Sequence, residues 1–467
     1  MNYPRTQKGI IKKTKFSSIS NVACGTLLRG ATRFCLWLQG EVRKDTTTRL
    51  IFKILFIYLH LNINSFKILH MKTRLALLFS IVFSVLNISA EVPEKAIPFI
   101  LDSHIYIQGV IADTIPVSLI YDTGADRLYM DKDYMDLSTF GKLPLRKARA
   151  KMGGAGNDGV KTVPIIIDTI PLQMGDVVHK EHITPIINLR EILGRHADGM
   201  IGNNAVFDKP LLVNYTDGYL LSIDSLTPGM LDGYTKLPAQ FNDNRIDIEC
   251  ELKIDSIQSV KGAFRLDLGC GSTIILTNAA RKGIDLTGKP QAICYYSNMG
   301  IGGDGSDVNF RVDSFRLLDE LYNIVISASY NTEGALSDRD YLGIIGNDIL
   351  CHYDLIIDAP NNVLYARRNG NMDTSYQKST KIQMGYVDRT DIGDGWIVSS
   401  IYYDGIAQKA GFEIGDEILS INGRPVKEIS WEEQRKGLGL TGPTTYEVKK
   451  KTGEIVTYIL NIGKEII

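Results

Sequence analysis

Two short stretches decide the fold: residues 119–125 read LIYDTGA, and residues 264–270 read FRLDLGC. In each stretch an apolar run ends at an aspartate, Asp122 or Asp267, and a glycine follows two positions later. Apolar and β-branched residues followed by Asp and Gly are typical of a strand that ends in a tight turn. One Asp-Thr-Gly occurs easily by chance, so the informative feature is the recurrence of the pattern.

Two further landmarks follow each aspartate, and their spacing is nearly the same in both halves. Glycine-rich stretches begin at Met152, as MGGAGNDG, and at Met299, as MGIGGDG. An Ile-Gly pair then ends at Gly202 after the first aspartate and at Gly346 after the second. Three landmarks in the same order and at similar spacing predict two homologous lobes. We place lobe 1 at residues 91–235 and lobe 2 at residues 236–370.

The local pattern of both lobes predicts strands. Apolar and β-branched residues alternate with polar ones between turns rich in Asp, Gly, Pro and Asn. In lobe 1 the predicted strands are 105–110, 117–121, 163–167 and 211–221, and in lobe 2 they are 246–254, 263–268, 308–315, 354–357 and 363–365. The predicted fold class is therefore mostly β, with two homologous β-barrel lobes that form one bilobal unit.

The paired motifs resemble the aspartic peptidases of the pepsin and retropepsin type, over about residues 98–368. The resemblance implies one catalytic aspartate from each lobe, Asp122 and Asp267. It also implies that the segments Ile201-Gly202 and Ile345-Gly346 pass beneath the two aspartate loops. Each lobe looks closer to a short retropepsin-like subunit than to half of a pepsin.

The resemblance implies general acid–base chemistry by two carboxyl groups that share one proton. In this scheme the ionised aspartate activates a water, and the protonated one donates to the peptide carbonyl. Supporting positions in the two loops are Thr123, Gly124, Leu268, Gly269 and Ser272. Leu268 departs from the family pattern, which has a Thr or Ser at this position. Ser272 carries a hydroxyl and is a partial substitute for the missing one. The alternative for each Asp is a plain turn residue before glycine.

The glycine-rich stretches are candidate flaps over a substrate, as the resemblance implies. The flap candidates are Met152, Gly153 and Gly154 in lobe 1, and Met299 and Gly300 in lobe 2. The alternative is a flexible hairpin connection, and the two interpretations are compatible. Neither stretch carries the Lys-Ser/Thr of a phosphate-binding loop.

The C-terminal part is a separate module. Residues 407–423 read AQKAGFEIGDEILSING, which resembles a bacterial-type PDZ domain. We place this small α/β domain at residues 381–467, after a polar linker at 371–380. The resemblance implies a peptide-binding site with a carboxylate-binding loop around Met384, Gly385 and Tyr386 and a groove helix near residues 431–437. The alternative is a PDZ domain that only packs on the lobes.

The N-terminal part carries a very different charge. Residues 1–70 contain twelve Lys and Arg against two acidic residues, a net charge of +10, and the remainder, with 40 and 51, carries −11. Residues 71–90, MKTRLALLFSIVFSVLNISA, read as a basic start, an apolar run and a small residue, which predicts a signal peptide cleaved after Ala90. A membrane anchor is the alternative. Residues 1–70 then form a doubtful upstream leader, or else a basic arm with a membrane-associating stretch at 50–59.

Charge and cysteine content limit the classes of partner that the sequence predicts. An overall net charge of −1 gives no case for nucleic-acid binding. Cys250, Cys270, Cys294 and Cys351 fit no zinc template, and the sequence does not choose among their possible disulfide pairings. We expect no metal and no cofactor. Because two fused lobes supply both aspartates, a monomer is the default.

The sequence therefore predicts a secreted or periplasmic aspartic endopeptidase that acts on polypeptides, with a PDZ domain that binds peptides or substrate C-termini. We expect contact with a membrane only through the signal peptide. Two alternatives stay open. One is a catalytically weak or inactive peptide-binding protein with a pseudo-protease fold, and the other is a self-processing or regulatory protease with few targets.

Overall fold

The computed structural model describes residues 92–202, 209–242, 245–297, 300–337 and 339–467. All of them lie in one compact unit, Ala90–Ile467. The described residues are mostly β-strand, and within them no helix is long and apolar enough to cross a membrane. The predicted leader and signal peptide lie outside the described residues.

Lobe 1 consists of short strands with two short helices. Its strands are β1 Ile97–Asp102, β2 His104–Ile111, β3 Ile115–Tyr121, β4 Leu128–Asp131, β5 Lys147–Met152, β6 Lys161–Ile166, β7 Ile170–Met174, β8 Val177–Glu181, β9 Thr184–Ile187, β10 Gly199–Ile201, β11 Leu211–Asn214 and β12 Tyr219–Ser222. Its helices are α1 Lys132–Leu137 and α2 Arg190–Leu193, with 3-10 turns at Phe140–Lys142 and Pro228–Leu231.

The hairpin β2–β3 leads the chain into the first aspartate loop. Its register pairs Ile105 with Tyr121 and Ile107 with Leu119, and these four side chains are buried in the core. Ala112 and Asp113 turn the hairpin with positive φ angles of 47° and 67°, the backbone that a tight hairpin turn requires. The alternation of apolar residues thus fixes which face of β3 is buried, and β3 ends directly before Asp122.

Lobe 2 repeats part of this order with fewer strands. Its strands are β13 Thr235–Asn242, β14 Arg245–Lys253, β15 Ser259–Leu266, β16 Ile274–Leu276, β17 Gln291–Tyr295, β18 Ser306–Arg316, β19 Glu320–Ser329, β20 Gly343–Ile345, β21 Tyr353–Asp358 and β22 Val363–Arg368. Its helices are α3 Asn278–Lys282 and α4 Asn347–Leu350, with a 3-10 turn at Ala359–Asn361.

The Ile-Gly segments occupy equivalent places in the two lobes. Strand β10 runs parallel to β3 and antiparallel to β4, so it lies between the two strands that flank the first aspartate loop. Strand β20 has the same relation to β15 and β16. The repeat detected in the sequence is therefore also a repeat of strand pairing.

A sheet joins the two lobes, with strand order β1-β12-β11-β21-β22-β13. The predicted single strand 211–221 is wrong. Residues 211–214 and 219–222 form two strands of this sheet, because Asp217 and Gly218 turn the chain between them. The Asp217 amide donates to the Asn214 side chain, and Gly218 has φ 73°.

The C-terminal module has its own core around the buried Trp396. Its strands are β23 Met384–Asp388, β24 Trp396–Tyr402, β25 Glu417–Ile421, β26 Arg424–Pro425, β27 Gly442–Lys449 and β28 Ile455–Ile462, and its helices are α5 Ile406–Ala410 and α6 Trp431–Arg435, with a 3-10 turn at Val426–Glu428. Strand β24 also pairs antiparallel with β17 of lobe 2. The segment 371–380, predicted as a linker, contains a 3-10 turn at Ser375–Gln377, whose buried Tyr376 packs edge-on against His352.

The cysteines Cys250, Cys270, Cys294 and Cys351 are free thiols. Burial raises the pKa of all four thiols, and a raised pKa disfavours the reactive thiolate. None of the disulfide pairings that the sequence left open is formed.

Candidate active site

The two aspartates lie in equivalent loops, one at the end of β3 and the other just after β15. The backbone N–H of Asp122 donates to the Ile201 carbonyl at 3.0 Å, and that of Asp267 donates to the Ile345 carbonyl at 3.0 Å. Each Ile-Gly segment therefore holds the backbone of the aspartate above it. The Gly202 amide donates to the Arg127 carbonyl at 3.0 Å, and the Gly346 amide donates to the Thr273 carbonyl at 2.8 Å. Each acceptor follows the aspartate in the same loop.

The loops bring the two carboxyl groups into contact. The side chains of Asp122 and Asp267 are hydrogen-bonded to each other. Within each loop, the Gly124 amide donates to Asp122 Oδ1 at 2.6 Å, and the Gly269 amide donates to Asp267 Oδ1 at 2.9 Å. These amides hold the two carboxyl groups in place. Both aspartates are partly exposed, so a reactant can reach the pair.

Glycine is needed at both loop positions because the carboxyl groups pass so close. A Cβ at position 269 would collide with the Asp122 carboxyl group, and one at position 124 would lie 3.0 Å from Asp267 Oδ2. Contacts this short force the neighbour to move. Any side chain at either position would push the two aspartates apart.

The environment of the two carboxyl groups favours one proton shared between them. Burial raises the pKa of Asp122 well above its usual value, and the charge and hydrogen bond of Asp267 raise it further. Burial also raises the pKa of Asp267, but the hydrogen bond from Asp122 and the nearby Arg265 and Arg245 oppose that rise. Two carboxyl groups in contact cannot both ionise readily. One proton shared by the pair satisfies this limit, and the two nearby arginines favour the ionised form at Asp267.

Thr123 links the two loops across the lobe boundary. Its hydroxyl accepts a hydrogen bond from the Leu268 amide at 2.9 Å and donates to the Leu266 carbonyl at 2.9 Å. Leu268 has no hydroxyl to make the reciprocal bonds, and its side chain is fully buried in the hydrophobic core. The Ser272 side chain is hydrogen-bonded to the Cys270 thiol. The link between the loops is therefore asymmetric.

Asn347 supports the second loop in a way that the sequence analysis missed. Its Nδ2 donates to the Leu268 carbonyl at 2.7 Å, while its Oδ1 accepts from the Tyr215 hydroxyl of lobe 1 at 2.6 Å. Asn347 directly follows Gly346, and Asn203 directly follows Gly202. This repeated asparagine was a visible signal in the sequence. Asn203 itself lies outside the described residues.

The candidate flaps meet each other. The first is the hairpin β5–β6, whose last β5 residue, Met152, is partly buried, and whose Gly154 lies against the Ile301 side chain of lobe 2. The Gly302 amide donates to the Ala155 carbonyl at 2.7 Å. Gly153 lies beside these contacts, at the start of the same loop.

The lobe 2 loop that contacts the first hairpin forms a tight turn at residues 300–303. Gly300 and Gly303 exchange backbone hydrogen bonds of 3.1 and 3.0 Å. The predicted flap residue Met299 lies outside the described residues. A further contact fixes the tip of the first hairpin, because Asn157 Oδ1 accepts from the amides of Thr332 at 2.6 Å and Glu333 at 3.1 Å. The first hairpin therefore reaches from lobe 1 to lobe 2.

The predicted PDZ site residues begin strand β23 and do not form a separate loop. Met384 is buried in the core of the module, and Tyr386 stacks on Trp396 with ring centroids 5.1 Å apart. The side chain of Ser400 lies close to Gly385, where a Cβ would collide with its hydroxyl. Helix α6 begins with a capping box, in which Ser430 and Glu433 bond each other's amides. This helix matches the predicted groove helix.

Comparison with known families supports this module. Residues 397–433 match the PDZ domain family, and the match runs from strand β24 into helix α6. PDZ domains are peptide-binding modules that add an extended peptide to a sheet edge. The chain thus contains a PDZ domain. No curated protein matches the sequence.

Asp122→Asn should change how the stability of the protein depends on pH. The raised pKa of Asp122 means that the folded chain holds this proton more tightly than the unfolded chain does. The resulting stabilisation is fully present below the unfolded pKa of 3.8 and is lost as the pH rises through the native pKa. The melting temperature of the variant should therefore improve relative to wild type between about pH 4 and about pH 8.

Thermal unfolding followed by circular dichroism at both pH values tests this expectation. Asp136→Asn, at an exposed position in helix α1, is the matched control and should shift little. A constant difference between Asp122→Asn and wild type at both pH values would contradict the raised pKa.

Proposed function

We propose that the protein is an exported aspartic endopeptidase of two retropepsin-like lobes, and that its PDZ domain recruits polypeptide substrates. The observation that carries the proposal is the hydrogen-bonded pair of Asp122 and Asp267 at the junction of two equivalent loops. Such a pair, sharing one proton, supplies a base and an acid at the same place.

The geometry suggests a role for each carboxyl group. The ionised Asp267 accepts a proton from a water, which attacks the carbonyl carbon of the scissile peptide bond. The protonated Asp122 donates its proton to the carbonyl oxygen as the tetrahedral intermediate forms. Collapse of that intermediate breaks the C–N bond: Asp267 passes the proton it took from water to the leaving nitrogen, and Asp122 regains a proton from a hydroxyl of the intermediate. Water is the nucleophile, so no covalent link to the enzyme is formed.

The surrounding elements have supporting roles in this proposal. Gly124 and Gly269 orient the carboxyl oxygens through their amides. The first hairpin contacts lobe 2 through Gly154 and Asn157. A polypeptide that enters between the lobes would have to open this contact and would then be enclosed by it, which excludes bulk water from the reaction.

One observation favours a second candidate, a weakly active or inactive peptide-binding protein. Leu268 makes no hydroxyl bond across the lobes, so Thr123 alone provides that link. Asn347 and Tyr215 add a second bridge at the same loop, through the Leu268 carbonyl. We favour the enzyme because this bridge also restrains the Asp267 loop.

Hydrolysis of a reduced, carboxymethylated protein across about pH 3 to about pH 8 tests the proposal, with new N-termini as the readout. The rate should rise as Asp267 ionises and fall as Asp122 loses its proton, which gives a bell-shaped profile. Because burial raises the pKa of Asp122 well above 3.8, the alkaline limb should lie clearly above the range of a free carboxyl group. A folded protein without hydrolysis at any pH would favour the peptide-binding alternative.

A further inference from the structure

A segment of lobe 1 lies on the open edge of PDZ strand β23. The Arg195 amide donates to the Asp388 carbonyl at 2.9 Å, while the opposite edge of β23 pairs with β24. The preceding residue, Gly194, has φ 81°, and a Cβ there would lie 3.1 Å from the Asp388 carbonyl oxygen. Glycine therefore allows this segment to approach the strand as closely as another strand would.

The side chains of the segment contact both walls of the groove between β23 and α6. Arg195 Nε donates to Asp388 Oδ2 at 3.1 Å, and Gln434 of α6 donates to the same oxygen at 3.1 Å. The His196 ring stacks on the α6 residue Trp431, with centroids 4.3 Å apart and planes 10° apart. Residues 194–196 thus lie between the strand and the helix that form the PDZ groove.

The position of the segment along β23 limits the room for a ligand. A peptide that adds to a sheet edge bonds every second residue of the strand, so Asp388 and Tyr386 face the same edge. The predicted carboxylate end of the groove is at Gly385, three residues before Asp388. At about 3.3 Å per residue, the edge between them accommodates about three residues of a ligand.

We infer that residues 194–196 are an intramolecular occupant of the PDZ groove, which an extended peptide with a free C-terminal carboxylate displaces when it is longer than about three residues. The Arg195 side chain is 35% exposed and its partner Asp388 is 5% exposed, so water screens this ion pair only in part. An added peptide strand would give the Asp388 carbonyl the same kind of backbone hydrogen bond that Arg195 gives it, and can therefore compete for this edge.

Displacement would also loosen one of several attachments of the PDZ domain to the lobes. Near the segment, Arg190 pairs with Asp391 at 2.9 Å, and Arg389 pairs with Asp133 of helix α1. Another attachment is the pairing of β24 with β17, the strand that leads into the lobe 2 flap candidate. A long peptide bound along β23 would therefore be connected to the lobe 2 flap candidate through the paired strands β23, β24 and β17. This consequence for activity rests on the proposed function, whereas the competition for the groove does not.

The test measures binding in an Asp122→Asn background, so that no peptide is consumed. Peptides are selected on this protein from random decapeptides with free C-terminal carboxylates, and amidated copies serve as the negative control. Fluorescence anisotropy then compares each decapeptide with its own C-terminal tripeptide. In Arg195→Glu, repulsion from Asp388 should free the groove, and the decapeptides should bind about tenfold tighter. The tripeptides should bind both proteins equally.

Arg195→Lys keeps the charge and is the matched control, with wild-type affinities expected. A second readout needs no variant at position 195: decapeptide, but not tripeptide, should increase amide-hydrogen exchange in residues 190–197. Equal decapeptide affinity in Arg195→Glu and its parent, with unchanged exchange, would overturn the inference. So would a selection that yields no carboxylate-dependent peptide. Neither result depends on whether the protein hydrolyses peptides.

Discussion

Replacing Asp122 or Asp267 by asparagine is expected to lower the rate of peptide-bond hydrolysis by at least about a thousandfold. Asparagine keeps the size of the side chain and can still hydrogen-bond its neighbour across the lobes. It cannot take up or release a proton in the reaction. Asp122→Asn removes the acid that serves the carbonyl oxygen, and Asp267→Asn removes the base that activates water. Initial rates on the same unfolded substrate provide the measurement.

The two single variants and the double variant should show nearly the same residual rate. Groups that act as one unit are far from additive, because the loss of either member already ends the shared proton transfer. Asp136→Asn, exposed in helix α1, removes the same charge and should stay within about threefold of wild type. Hydrolysis that persists equally in wild type, Asp122→Asn and Asp267→Asn would show that a contaminant or another site is responsible.

The equivalence of the two aspartate loops was accessible from the sequence. The similar spacing from each aspartate to its Ile-Gly pair predicted two equivalent loops, and the family resemblance implied that Ile201 and Ile345 lie beneath them. The carbonyls of these two residues accept the aspartate amides. This was possible because strand alternation and turn residues are local signals. The alternation likewise predicted strands at 105–110 and 117–121, where β2 and β3 are found.

Contacts between distant segments could not be predicted in the same way. Asn347 lies 132 residues from Tyr215, and Arg195 lies 193 residues from Asp388. Such pairs depend on how whole elements pack, and a single sequence carries no signal for that. The turn that separates β11 from β12 was also missed, although Asp217-Gly218 is a typical turn pair. The apolar residues on both sides of this pair resembled one continuous strand.

The asymmetry of the two loops has a physical basis in packing. Leu268 is fully buried among core residues of the lobes, so the second loop gains apolar burial where the family pattern has a hydroxyl. A buried leucine contributes roughly 1.5–3 kcal/mol, comparable with the hydrogen bonds that a threonine would make. Orientation of the Leu268 backbone then depends on Thr123 at its amide and on Asn347 at its carbonyl. These two residues become more important than they would be in a symmetric site.

Thr123→Val is therefore expected to have the largest effect on stability of the substitutions considered, with a loss of about 2–4 kcal/mol. Valine has nearly the same shape as threonine but cannot bond the Leu268 amide or the Leu266 carbonyl. Both groups are buried, and a buried polar group without a partner costs more than the bond itself contributed. Chemical denaturation followed by fluorescence gives the free energy of unfolding.

The same substitution should lower the rate of hydrolysis by about a hundredfold, because small displacements of reacting groups are costly. Thr123→Ser is the matched control: it keeps the hydroxyl and removes only a methyl group, so it should retain stability within about 1 kcal/mol and most of the activity. If Thr123→Val matched Thr123→Ser in both measurements, the hydroxyl would not be the link between the loops. A loss of stability without a loss of rate would show that Asn347 alone suffices to position Asp267.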